Sequence, residues 1–378
     1  MNIDKGLNYG IIGNCKSSAL SNEDSSIDWC CLPQFDSSAI FCKIIDNHIG
    51  GSFKIEAAES YIITQQYINN TAIVRTNFKN PKNEFEVLDF MTRYKLDDQN
   101  FYSPPEIQRL IKPVKGLPKI KVLYNPTLEY ANGKTKTYEK EDFIVSVFDE
   151  ASYETLFLYT DIEKKKILEN KEFELSKPVY LNLSYNEKID LPSLSKSEEE
   201  LKKTEEYWLS WCKKSPSFKS YNKEITRSSI TLKLLTFEKT GAVLAAATTS
   251  IPETIGEVRN WDYRFCWIRD ASMVIKIIAK LGHQRIVKNF IDFIVNLIPN
   301  KNEKLQIMYG IDGQKNLTEK ILKHLSGYKN SKPVRIGNAA YIQKQNDIYG
   351  ILVDAIHFQI EKFKDISYKH EQLWSIVK

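Results

Sequence analysis

Near residue 193 the spacing of apolar residues changes, and that change limits the chain to a two-part architecture. Before it, short runs rich in Ile, Val, Phe, Tyr and Thr, among them 26–32, 52–56, 73–78, 85–90, 119–124, 143–148, 155–159 and 179–185, are separated by Asn, Asp, Gly and Pro. Many antiparallel strands with no helix between them predict a β-sandwich. After it, apolar residues recur at helical offsets over 225–236, 271–281, 286–297, 339–363 and 369–378, with Gly282 where a helix would end. The join is the charged run SKSEEELKKTEEYWLSWC, in which Ser195 and Ser197 each precede a Glu by three residues, a helix-start signal. Leu201, Trp208, Leu209 and Cys212 form its apolar stripe, and its Glu and Lys residues are expected to face water. We therefore expect a β-sandwich over 1–192, a linker helix over 193–222 and an all-α domain over 223–378.

Composition narrows the class. The 378 residues are 42% hydrophobic and 27% charged, with 53 Lys+Arg against 48 Asp+Glu interspersed along the chain. A net charge of +5 with no basic block gives no footprint for nucleic acid. The start MNIDKGLNYG has no basic, apolar leader pattern, and no run of about 18 apolar residues occurs, so a cytoplasmic protein with no membrane partner is expected. Six cysteines lack C-x-x-C spacing and are read as free buried thiols. Five histidines show no metal-ligand spacing, and phosphate-loop, dinucleotide and nucleophile-elbow motifs are missing, so neither a metal nor a cofactor is expected.

One window breaks the composition. The chain has 44 Lys and 9 Arg, yet no Lys falls between Lys239 and Lys276, while Arg259, Arg264 and Arg269 crowd together with Trp261, Asp262, Tyr263, Trp267 and Asp270. Arg offers a rigid fork that holds two acceptors at once. Carboxylates accept from sugar hydroxyls, and indole faces cover the apolar side of a pyranose, so the set suits a carbohydrate pocket. The plainer reading is that Asp270 caps the helix after it and that Arg264 and Arg269 sit in structural ion pairs. A second polar stretch, LQIMYGIDG at 305–313 and RIGNAAYIQKQNDIYG at 335–350, brings Arg335, Asn338, Gln343 and Asp347 close to an expected helix start, where capping and solvation are the plain alternative.

The segment GAVLAAATTSIPETIGEVRNWDYRFCWIRDAS resembles the signature of glycoside hydrolase family 15, which holds the glucoamylases and related microbial trehalases. IIGNCKSSALSNEDSSIDWCCLPQFDSSAIFCKIID, LQIMYGIDG and KPVRIGNAAYIQKQNDIYG are similar to other family segments, so the resemblance spans nearly the whole chain. It implies a β-sandwich followed by an (α/α)6 toroid with substrate at the barrel mouth. The family's W-x-R-D motif falls on Trp267, Arg269 and Asp270, and in relatives this Arg and Asp bind the terminal glucose. Trp261 and Asp262 belong to the adjoining W-D-Y-R piece, and the resemblance implies that Arg335 and Asn338 border the neighbouring sugar site. Ser25 replaces a usual Gly, Gln34 a usual Arg, Ala247 a usual Pro and Glu257 a usual Gly.

Family members invert the anomeric centre with two glutamates about 6.5–9.5 Å apart. In relatives the acid lies in a D-E-G-I-W-E-type stretch and the base lies later still; neither has a counterpart in this sequence, and Glu253, Glu257 and Glu371 match neither motif. About five helices would also form only half of a twelve-helix toroid. The main expectation is an inverting exo-α-glucosidase of glucoamylase type, acting on α-glucan oligosaccharide, inactive as this chain alone and completed by a separate polypeptide. The alternatives are α,α-trehalase, with trehalose as substrate, and a non-catalytic glucoside-binding protein or remnant.

Overall fold

Strand 74–79 shows how the first half folds: Val74, Thr76 and Phe78 are buried, whereas Arg75, Asn77 and Lys79 alternate toward the surface. It turns at Asn80, whose carboxamide oxygen accepts from the amides of Lys82 and Asn83, and returns as Glu84–Phe90 with Phe78 opposite Phe85. Those two rings stack at 4.5 Å. The computed structural model describes residues 7–98, 100–149, 153–190, 192–297 and 305–364, and the chain divides into two units, 1–210 and 211–378.

The first unit holds a seven-stranded and an eight-stranded antiparallel sheet. Ile12, Ile27, Phe53 and Val122 of the former and Val74, Phe85, Ile107 and Leu181 of the latter enter one core, the sheet-on-sheet arrangement expected from the strand pattern. The opposite face of the eight-stranded sheet carries Leu88, Phe90, Leu110 and Tyr180, against which Leu194 and Leu201 of the helix Leu194–Cys212 pack. Ser197, Glu200, Thr204, Trp208 and Trp211 are the buried positions of that helix, three or four residues apart. Glu200 therefore corrects the expectation that the glutamates here face water. It turns inward because Gln108 on the sheet and Thr92, just past the strand ending at Phe90, hydrogen-bond its carboxylate.

Alternation also brings charge between the sheets. Asp89 shares a face with Phe85 and Val87, and Arg109 shares one with Ile107 and Ile111. Both are fully buried, with Arg109 Nε 2.8 Å from Asp89 Oδ1. Arg109 also donates to Ser25 O and Ser25 Oγ, each at 2.7 Å, and to Phe53 O. Ser25 sits at φ +58°, in the left-handed region that favours Gly, and its hydroxyl accepts from Arg109.

The second unit contains, among the described residues, the helices Asn222–Leu234, Ile268–Lys280, Gln284–Leu297 and Asp347–Phe363. Ile268–Lys280 ends in a Schellman motif: Gly282, at φ +85°, donates to Ala279 O, and His283 donates to Ile278 O. This reverses the chain into Gln284–Leu297, which buries Ile286, Val287, Phe290, Ile291 and Ile294. The unit is not all-α, as the helical periodicity suggested. Cys266–Trp267 pairs with Met308–Tyr309, and Lys320–Ile321 pairs with Arg335–Ile336. Such two-residue ladders leave no periodic trace in a sequence. The expected helix over 339–363 is two elements, a 3-10 turn at Ala339–Ile342 capped by Asn338 and then Asp347–Phe363. The helical piece expected over 369–378, with Glu371, lies outside the described residues.

All six cysteines are free, and five are buried. Burial pushes the thiols of Cys42 and Cys266 up to about 12, so they are held protonated and unreactive. Among the described residues no group of His, Cys, Asp and Glu could hold a metal ion, and no helix is long and apolar enough to cross a membrane.

Candidate functional site

The W-D-Y-R piece runs extended beside 243–250, with Ser250 N bonded to Trp261 O, Ala246 N to Tyr263 O and Ala245 N to Phe265 O. Extended backbone alternates its side chains, and here the charged pair goes inward while the aromatic pair stays part-exposed. Asp262 and Arg264 are buried and share a two-pronged ion pair, with Nε to Oδ1 at 2.9 Å and Nη2 to Oδ2 at 2.7 Å. Asp262 Oδ2 also accepts from Gly337 N at 3.2 Å, and Asp262 O accepts from Asn338 Nδ2 at 3.0 Å. The Asp262 and Asn338 expected at a sugar site are thus used up inside the fold. They tie the W-D-Y-R piece to the R-I-G-N turn, more than 70 residues later.

Trp261 and Arg335 meet across that tie. The Arg335 guanidinium lies 4.6 Å from the centre of the Trp261 ring, while its Nε donates to Glu319 Oε1 at 3.0 Å and its Nη1 to Val258 O at 2.8 Å. Glu319 was not singled out from the sequence. Its role comes from the short ladder pairing Ile321 with Arg335, which brings the two elements together without a motif to announce it.

Trp267, Arg269 and Asp270 stand together at the start of the helix Ile268–Lys280. Trp267 is the residue that precedes the helix, so Asp270 lies in its first turn and is not its N-cap, correcting the plainer reading. An acidic residue there is favoured by the partial positive charge of the helix start. Arg269 Nη2 lies 3.3 Å from Asp270 Oδ2, Arg269 Nη1 lies 3.3 Å from Asp347 Oδ2, and the guanidinium sits 6.0 Å from the centre of the Trp267 ring. These side chains are 37%, 46% and 43% exposed for Arg269, Asp270 and Asp347, which leaves polar atoms open to a ligand from solvent. Trp267 Nε1 is shielded from solvent and has no hydrogen-bond partner. The Tyr263 ring lies 6.3 Å from that of Trp267, joining the W-D-Y-R piece to this set, and its hydroxyl reaches Glu253 at 3.4 Å. Glu253 is itself paired with Arg259.

A cavity of about 640 Å³ in the same unit is lined by Lys239, Asn289, Phe293, Asp312 and Lys315 and by none of the seven expected site residues. Its Lys239 and Asp312 pair with each other at 2.9 Å. Chemistry and long-range hydrogen bonding both favour the surface around Arg269.

Residues 219–378 match the family profile described as glycosyl hydrolases family 15, and residues 7–187 match that described as trehalase-like, N-terminal. The chain belongs to glycoside hydrolase family 15. Similar curated proteins include "Trehalase" of Thermoplasma volcanium, 32% identical over 92% of this chain and 56% of the relative, and "Trehalase" of Thermoplasma acidophilum, 33% identical over 93% and 60%. "Trehalase" of Mycolicibacterium smegmatis is 29% identical over 98% of this chain and 59% of its own length. The family 15 chain therefore spans between half and two-thirds of these relatives.

Proposed function

We propose that this chain carries the glucose-holding surface of an α,α-trehalase. The observation that carries the reading is the Trp267–Arg269–Asp270 set: a part-exposed guanidinium over an indole, beside a carboxylate at a helix start. A guanidinium donates to ring hydroxyls, a carboxylate accepts from them, and the indole covers an apolar sugar face. With Asp270 and Asp347 both beside Arg269, the local formal charge is negative, which suits uncharged sugars over sugar phosphates. Trehalase is preferred over the glucoamylase-type reading because the relatives reported above bear that name along both halves of the match. The same residues would serve either enzyme's terminal glucose.

In this reading the helical unit is part of an (α/α)6 barrel. The hairpin Ile268–Lys280 and Gln284–Leu297, followed by a helix packed on its first member, is the arrangement that stacked hairpins require. Trp267, Arg269 and Asp270 contact the glucose, Trp261 and Arg335 border the next sugar, and Asp262 and Asn338 hold the two walls in place. The domains divide as 1–192, 193–222 and 223–378. No glutamate here has the acid or base role, so the chain alone binds sugar without hydrolysing it.

Titration of the chain with trehalose, followed through tryptophan fluorescence and calorimetry, tests this. Saturable binding that weakens at least tenfold in Asp270→Ala is expected, with trehalose 6-phosphate binding no better than trehalose. Absence of binding, or binding untouched by Asp270→Ala, would reject the reading.

A further inference from the structure

Three contacts between the helices Ile268–Lys280 and Asp347–Phe363 share one offset. Arg269 meets Asp347, Lys276 meets Asp354 at 2.5 Å, and Lys280 lies 5.9 Å from the Phe358 ring, so each residue faces the one 78 positions later. A constant offset means that the helices run parallel, with both starts at the same end. The first rung of this ladder differs from the other two, because its basic member is Arg269 of the sugar-holding set. Gln345 Oε1 lies 3.5 Å from the same Nη1 that faces Asp347.

We propose that Asp347 is the positioning residue for Arg269, fixing the plane of its guanidinium so that the fork is already aimed when sugar arrives. Arg269 starts from the first turn of its helix and has a long, rotatable stem, 37% exposed. Its neighbour Asp270 approaches one terminal nitrogen, Nη2, without satisfying Oδ2, and a single contact leaves the plane free to swing about it. Asp347 takes the other terminal nitrogen, Nη1, from a second helix. Two carboxylates on opposite terminal nitrogens, with the Trp267 ring 6.0 Å below, hold both the position and the plane. Asp347 itself opens its helix, where the helix dipole favours a carboxylate, so its charge is anchored independently of Arg269. Fixing a donor before binding removes an ordering cost from the association.

The inference rests on the sugar-holding reading of Arg269 but is tested apart from it. Arginine labelled with 15N gives nine guanidinium signals in this chain, and Arg269→Lys identifies the one required. Slow rotation about the Arg269 Nε–Cζ bond is expected in the sugar-free chain, becoming at least tenfold faster in Asp347→Asn and recovering in part in Asp347→Glu. Asp354→Asn, which breaks the second rung alone, should leave it unchanged, whereas a merely structural role for the ladder would make the two variants alike. Rotation already free in the wild type, or equally affected by Asp354→Asn, would overturn the proposal. Trehalose affinity provides the second readout: Asp347→Asn should weaken it about tenfold and Asp354→Asn less than twofold. If Arg269 is held by Asp347 and no sugar binds, the positioning role stands and the sugar-holding reading falls.

Discussion

Asp89→Ala is expected to destabilise the first unit by about 3–5 kcal/mol, the cost of leaving a buried charge without its partner. Arg109 would keep its bonds to Phe53 O and to Ser25, but these are neutral acceptors, and its charge would face no anion at a position with no solvent exposure. The damage would reach both sheets, because Asp89 and Arg109 lie on neighbouring strands of one sheet while Phe53 and Ser25 belong to the other side of the core. Ser21 would also lose the acceptor that holds its hydroxyl at 2.9 Å. Replacing both members, as in Asp89→Leu with Arg109→Met, should recover much of the loss, since apolar residues of similar volume avoid the desolvation that the pair endures. Urea unfolding of the single and double variants measures this. A single-variant loss below 1 kcal/mol would mean that water reaches the pair.

The same pair shows where sequence reading stops. Strand 84–90 is legible from its alternation, and alternation even places Asp89 on the inner face, yet nothing in the sequence says that Arg109 stands beside it. The charged linker helix was legible as a helix, but its buried stripe was assigned from apolar residues alone, and Glu200 was lost to that rule. Burial there follows the position of the residue on the helix, and the carboxylate is satisfied by Gln108 and Thr92, 92 and 108 residues earlier in the chain. In the helical unit, the window between Lys239 and Lys276, which holds three Arg and no Lys, and the family resemblance both point to Trp267, Arg269 and Asp270, which stand side by side. They do not separate residues that face solvent from residues that hold the frame. Asp262 carries the same chemistry as Asp270, and only the extended alternation of W-D-Y-R sends it inward onto Arg264. Glu319 and the register that brings Asp347 to Arg269 depend on packing between distant elements, for which a single sequence holds no local signal.

The two units are expected to respond to pH in opposite directions. In the first, Glu106 is buried on the sheet face under the linker helix, bonded to Asn182 at 3.3 Å, with Glu200 and Glu187 adding negative charge and Lys196 opposing it more weakly. Burial, reinforced by Glu200, raises its carboxyl to about 7. A raised acid binds its proton more tightly in the folded state. Its stabilisation is therefore complete below the unfolded value near 4.5 and is lost as pH climbs through about 7, roughly 3 kcal/mol in all. Glu106→Gln, which cannot ionise, should match the wild type near pH 5 and exceed it near pH 8. In the second unit His283 stacks on Trp211 at 3.9 Å and bonds Ser215 Oγ at 2.8 Å, and burial, with Lys233 and Lys214 nearby, lowers it to about 4. A depressed base releases its proton on folding. Its stabilisation is present above the unfolded value near 6.5 and is lost as pH falls toward 4, again roughly 3 kcal/mol. The buried cysteines separate the two responses: Cys30, Cys31 and Cys42 report the first unit and Cys266 the second. Pulsed labelling with a methanethiosulfonate across a urea series at pH 5, 6.5 and 8 should move the first set of midpoints down as pH rises and the second down as pH falls. Glu106→Gln should flatten only the first trend and His283→Gln only the second; midpoints that move together in every variant would refute the assignment of either group.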